Sequence, residues 1–87
     1  METTSVQPRT ELEEELVALW SERLRGRPPG VTDHLMAIGG DSLTALRIIA
    51  TAQRRYRVRI DRKRLFAAFT VATMAELITE VTGGSRR

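Results

Sequence analysis

The chain contains no cysteine. That excludes disulfides and thiolate metal sites, and any thiol chemistry it serves needs a thiol brought from outside. It also leaves the redox compartment unreadable. Histidine is nearly absent too: His34 is the lone one, and no serine or acid lies at a motif spacing that makes it a catalytic base. There is no GxSxG elbow, no phosphate-cradling glycine loop and no His/Asp cluster with metal-ligand spacing. Catalysis and metal binding are therefore not expected. Nothing approaches the ~20 apolar residues of a membrane span. The start, METTSVQPRTELEEE, lacks the basic and apolar regions of a signal peptide. A soluble, cytoplasmic protein is expected.

With 87 residues there is room for one small core, burying roughly 60% of the chain's surface. The net charge of +3 is unevenly spread. Glu11, Glu13, Glu14 and Glu15 make the start acidic, whereas Arg54, Arg55, Arg57, Arg59, Arg62, Lys63 and Arg64 face only Asp61. Such a basic run is either a solvated face or a surface for nucleic acid or an acidic protein.

Residues 1–9 read as a loose tail, residues 10–82 as the domain and residues 83–87 as a second tail. Thr10 and Glu13 form a capping-box pattern, and Leu12, Leu16, Leu19 and Trp20 recur at helical spacing. They predict a first helix from about 11 to 24, stopped by Gly26, Pro28, Pro29 and Gly30. A long connection to residue 41 follows, with Val31, Leu35, Met36 and Ile38 expected to pin it to the core. Loops of this length in small domains are often functional. Gly39 and Gly40 close it, permitting backbone angles or close approaches that a side chain forbids.

A second helix is expected from about 42 to 56. At 100° per residue it carries two apolar arcs. Ala45, Ile48, Ile49, Ala52 and Tyr56 form one; Leu43, Leu46 and Ala50 form the other, either buried or exposed for a partner. "YRVRID" reads as an extended connection with Val58 and Ile60 inward. Asp61 can cap a short third helix holding Leu65, Phe66 and Phe69. Thr70 can cap a last helix in which Val71, Met74, Leu77, Ile78 and Val81 repeat. The fold class is all-α: a four-helix bundle of three main helices and a short third, with a long loop between helices 1 and 2.

Ser42 admits two readings. Asp and Ser before a periodic run are favoured N-caps. A serine in a helix's first turn also lies beside free N–H groups and the positive dipole end, a place suited to phosphate. The adjacent glycines leave room for another molecule to approach.

"IGGDSL", residues 38–43, with its long preceding loop and following helix, resembles the phosphopantetheine attachment motif of acyl and peptidyl carrier proteins. The resemblance extends through "PRTELEEELVALWSERL", "VTDHLMAIGGDSLTALRII", "YRVRI" and "LFAAFTVATMAELI", roughly residues 8–81. It implies a non-catalytic carrier with 4'-phosphopantetheine attached to Ser42, flanked by Asp41 and Gly40. The arm would come from coenzyme A through a phosphopantetheinyl transferase with Mg²⁺, and would hold an aminoacyl, peptidyl or other acyl group as a thioester. The paired glycines are similar to the peptidyl (or aryl) branch, the peptidyl one belonging to nonribosomal peptide and antibiotic biosynthesis. Partners implied are the transferase, an adenylation or loading enzyme, and condensation or tailoring enzymes. By position, Leu43, Leu46, Arg47 and Ala50 become the docking face, with Met36 from the loop and Phe66 from the third helix. A monomer without nucleic-acid or membrane partners is expected; Met1 and the short tails suggest a free-standing carrier, and an excised module would look much the same.

There are departures from the family pattern. Leu35 and Met36 stand where two Phe are common, and Ile38 where Leu is usual. Asp41 is similar to carriers that precede epimerisation domains. Arg57 replaces the Gly that often ends the second helix, which puts the left-handed cap in doubt. The basic run exceeds the family's usual content. The competing reading is a basic helical nucleic-acid-binding or protein-interaction domain using Arg54–Arg64, without an arm; few aromatics and an acidic first helix oppose nucleic acid.

Overall fold

A computed structural model describes residues 10–25 and 28–83. Both expected tails, apart from Gly83, and the expected stop at Gly26 lie outside the described residues. Within them are four α-helices: α1 (Glu11–Arg23), α2 (Ser42–Tyr56), α3 (Arg62–Ala67) and α4 (Val71–Val81). A 3-10 turn, Leu35–Ile38, interrupts the α1–α2 connection. The expected all-α, four-helix architecture is present, with helix ends within two residues of expectation.

Each helix starts where a short polar side chain meets an orphan N–H. Thr10, Asp41, Asp61 and Thr70 accept from the N–H three residues on, at Glu13, Thr44, Arg64 and Thr73 respectively. Such caps satisfy donors that have no partner inside the helix. α1 packs against α2 and α4, and α3 against α4. At the centre Trp20 meets Phe69 edge-on, with ring centroids 5.6 Å apart, and Phe69 meets Phe66 at 5.1 Å. Around them Leu16, Leu19, Ile48, Ile49, Leu65 and Met74 are buried. Tyr56 straps α2 to α1: its hydroxyl donates to Glu15 Oε1 at 2.7 Å. Burial, then this carboxylate, pushes the phenol up to about 12, so it remains a donor across the physiological range.

The long loop is anchored as expected through Val31 and Leu35, both fully buried. Leu35 N–H donates to Phe69 O, and Ala72 N–H to Val31 O, each at 2.9 Å. The loop thus shares backbone bonds with both the α3–α4 junction and the first turn of α4. Asp33 braces the turn by accepting from Gly30 N–H at 2.8 Å. Met36 does not pin the loop: it is exposed, as is Val81 at the end of the α4 stripe. α3 ends before Phe69, which packs from the junction that follows. Val58 is only partly buried, whereas Ile60 is inside.

The doubt over the end of α2 resolves in favour of the left-handed cap. Arg57 adopts φ 57°, ψ 48° and donates its N–H to Gln53 O. The chain keeps this cap with a residue that is strained there, at a cost of roughly 1–2 kcal/mol relative to relaxed backbone. Glycine has more freedom to lose on folding, about 0.5–1 kcal/mol, so the net gain is smaller than the strain. Arg57→Gly is expected to raise the thermal midpoint by a few degrees, the equivalent of about 0.5–1 kcal/mol. Calorimetry showing no rise would mean the αL position carries no strain.

Candidate functional site

α2 begins with a division of labour. Asp41 has extended backbone angles (φ −136°, ψ −177°), and its Oδ1 accepts from Thr44 N–H at 2.8 Å. Its carbonyl opens the helix by accepting from Ala45 N–H at 2.8 Å. The Thr44 backbone bond, followed by the Thr44 hydroxyl and aided by the Arg47 charge, holds the Asp41 carboxyl below its usual range. Asp41 is therefore the cap. Ser42 is the first helical residue and is exposed. Its hydroxyl has no hydrogen-bond partner among the described residues. The fold does not use that oxygen.

The two glycines have different reasons. Gly39 ends the 3-10 turn in the left-handed region at φ 102° and has open space where a Cβ would stand. At Gly40 a Cβ would collide with Leu35 Cγ and lie 2.7 Å from Leu35 Cδ1. The close approach that Gly40 permits is therefore made by a core residue of the same chain. This corrects the expectation that both glycines make room for a visitor. Gly40 N–H also donates to Leu35 O at 2.9 Å, which fixes the backbone directly before Asp41 and Ser42.

Beside Ser42 the second apolar arc of α2 is exposed, not buried. Leu43 is 57% and Leu46 45% exposed, with Arg47 and Ala50 open on the same side. Met36 and Phe66, each 42% exposed, are the other large apolar groups of the expected docking set. Side chains of this size at the surface next to a free hydroxyl are the informative kind of exposure. Phe66 packs edge-on against Phe69 rather than against the α2 arc.

His34 caps the 3-10 turn, its Nδ1 accepting from Met36 N–H at 3.3 Å. It is thus occupied with the loop. Asp41 is spent on Thr44 and is a weak base. Among the described residues no group of three or more His, Cys, Asp or Glu side chains is arranged to hold a metal ion. No described helix is long and apolar enough to cross a membrane.

Three features escaped sequence reasoning. The steric need at Gly40 depends on a contact with Leu35 that only the folded loop creates. The Asp33 brace had a signal, an acid three residues after a Pro-Gly pair, of the kind that often closes a turn. The Arg64–Glu80 pair, at 2.8 and 3.0 Å through two nitrogens, joins residues too distant in sequence for any local pattern to reveal.

The comparisons with known proteins agree with this geometry. Residues 14–78 match the family described as phosphopantetheine attachment site. The chain is 39% identical over 80 residues to tyrocidine synthase 3 of Brevibacillus parabrevis, covering 92% of this chain and 1% of the synthase. It is 40% identical over 73 residues to tyrocidine synthase 2 of the same organism, covering 84% of this chain and 2% of that one. The chain therefore spans a very small part of these relatives' length. Among solved structures, an active-site mutant peptidyl carrier protein superposes with a TM-score of 0.83 at 29% identity, covering 99% of this chain and 93% of that one. A chain from the complex of the phosphopantetheine transferase Sfp with coenzyme A and a peptidyl carrier protein gives 0.80 at 31% identity, over 86% and 97%. A loop clamped onto the core, a spare hydroxyl at the first turn of α2 and these matches together place the chain in the phosphopantetheine attachment-site family, as a peptidyl carrier domain.

Proposed function

We propose that Ser42 carries 4'-phosphopantetheine and that the domain presents an aminoacyl or peptidyl group to the enzymes of nonribosomal peptide synthesis. The observation that carries this reading is the free Ser42 hydroxyl beside a cap that Asp41 supplies alone. When attached, the arm supplies the thiol that this cysteine-free chain lacks, and cargo is held there as a thioester. What the chain contributes is placement. α2 holds the Ser42 oxygen outward at its N-terminal end, where backbone N–H groups and the dipole favour a phosphodiester. Gly40 and Leu35 fix the approach to it. The proton of the hydroxyl leaves to a base of the transferase, since His34 and Asp41 are both engaged elsewhere.

The partners in this reading are a phosphopantetheinyl transferase, an adenylation or loading enzyme, and condensation or tailoring enzymes, met by a monomer in the cytoplasm. Leu43, Leu46, Arg47 and Ala50 are the docking face, with Met36 and Phe66 as its outlying members. The test is intact mass after incubation with a promiscuous phosphopantetheinyl transferase, coenzyme A and Mg²⁺. A single phosphopantetheine-sized gain supports the reading, and an unchanged mass with a transferase proven active on another carrier sinks it.

The same assay tests the face. Leu46→Asp places a charge where an apolar contact is needed and is expected to lower the loading kcat/KM at least about tenfold, as for a central interface residue. Val81→Asp, at an equally exposed apolar position of α4, is the control and should load normally. Equal loading by both variants would remove Leu46 from the docking face.

A further inference from the structure

The basic run at the far end of α2 is not accounted for by the fold or by the Ser42 site. Arg54 and Arg55 lie in the last turn of α2, where the helix dipole welcomes cations. Three others are placed against local preference. Arg57 occupies a left-handed position that suits glycine, and Arg62 and Lys63 stand in the first turn of α3, which holds no acid. Cations at that end are disfavoured, and like charges this close repel. Arg64 is paired with Glu80, and Arg55 lies against the Tyr56 hydroxyl. Arg54, Arg57, Arg59, Arg62 and Lys63 are exposed and have no carboxylate partner among the described residues.

Two of them, Arg59 and Arg62, line a recess together with Gln53, Val58 and Ile60. Gln53 Oε1 accepts from Ile60 N–H at 2.9 Å, so the amide's NH₂ group remains as a donor. Two arginines and one amide donor around a largely polar recess make a carboxylate-binding surface, since charge-assisted bonds to Arg are directional and comparatively strong. Along the axis of α2, about 21 Å at 1.5 Å per residue separates its first residue from its last. A partner bound here leaves Ser42 uncovered.

We propose that the surface formed by Arg54, Arg57, Arg59, Arg62 and Lys63 docks an acidic, carboxylate-rich segment of a partner protein, one carboxylate seated between Arg59 and Arg62. A protein is favoured over nucleic acid by the neighbouring charges and rings. α1, with exposed Glu11, Glu14 and Glu15, packs against α2 and repels a long polyanion. Tyr56, the aromatic ring on α2 at the patch, is half-buried and bound to Glu15, so α2 offers no base-stacking platform. What the partner gains rests on the carrier reading: it retains the domain while the Ser42 end remains free for enzymes.

The probe is a fluorescein-labelled oligoglutamate of about ten residues, titrated with the full chain at low salt and followed by anisotropy. Binding is expected, weakening steeply as salt is raised. Arg59→Glu/Arg62→Glu should weaken it at least about tenfold, and Arg59→Gln/Arg62→Gln by less, while Arg23→Glu on α1 changes it less than about twofold. Circular dichroism confirms that the variants fold, and intact mass after transferase treatment is read on the same samples. No binding, equal binding by both Arg59/Arg62 variants and the parent, or tighter binding of an oligothymidylate of equal charge would overturn the proposal. Peptide binding without Ser42 loading overturns the carrier reading and leaves the surface standing. Loading without peptide binding does the reverse.

Discussion

Ser42→Ala will take up no phosphopantetheine and will unfold at the same temperature as the parent chain. The first half follows from chemistry: the transferred group bonds to the side-chain oxygen, and alanine has none. The second half follows from the division of labour at the start of α2. Asp41 provides the cap to Thr44 N–H, and the Ser42 hydroxyl supports nothing among the described residues. Alanine is also the residue best suited to a helix, so a first-turn serine is replaced without penalty. Asp41→Ala should show the opposite phenotype: a lower thermal midpoint, with uptake persisting in the fraction that remains folded. Intact mass and calorimetry on the two variants separate the tether from the cap. A Ser42→Ala chain that loads would move the attachment elsewhere, and one that melts much earlier would make the serine structural after all.

Gly40→Ala is expected to produce the largest loss of stability from the smallest change. The new Cβ would fall well inside van der Waals contact of Leu35 Cγ and Cδ1, and 3.0 Å from Leu35 O. Leu35 has little room to yield, being fully buried with its N–H bonded to Phe69 O. Overpacking of this kind costs about 1–3 kcal/mol, out of a total of roughly 4–13 kcal/mol for a domain of this size. The thermal midpoint should fall by about 5–20 °C, and loading should slow because the backbone before Ser42 is displaced. Gly39→Ala meets open space and carries only the strain of φ 102°, about 1–2 kcal/mol.

A double-mutant cycle identifies the cause. Leu35→Ala alone leaves a cavity, but in the Gly40→Ala background it removes the clash, so the combined loss should be smaller than the sum by at least about 1 kcal/mol. Strict additivity would show that the two side chains do not collide.

The parts legible in the sequence were those written locally. A capping residue and the helix it starts lie within four positions of each other, so Thr10, Asp61 and Thr70 could each be identified without a fold, and the cap of α2 narrowed to Asp41 or Ser42. The inward face of α2 was legible for the same reason, being a matter of period. Properties set by the far side of the molecule were not. Nothing in Arg57 announces a left-handed conformation; glycine would have, and arginine hides it. Gly40 reads as generic freedom until Leu35 is folded over it. Val81 continues the apolar period of α4 yet emerges into solvent, because periodicity names a face and not where the core ends. At the candidate site the sequence left Ser42 open between cap and attachment point, and the second arc open between buried and exposed. The structure shows the arc exposed at Leu43 and Leu46 and gives the cap to Asp41.

The core aromatics also determine what can be seen spectroscopically. Trp20 is the chain's one indole, fully buried, edge-on to Phe69, and its Nε1–H has no hydrogen-bond partner among the described residues. An indole so shielded emits at short wavelength and shifts to the red only when the core opens to water. Ser42, by contrast, lies on the exposed first turn of α2. Intrinsic fluorescence therefore reads folding while remaining largely blind to attachment. A sample can be titrated with denaturant before and after loading, with the same built-in lamp measuring the stability of each form.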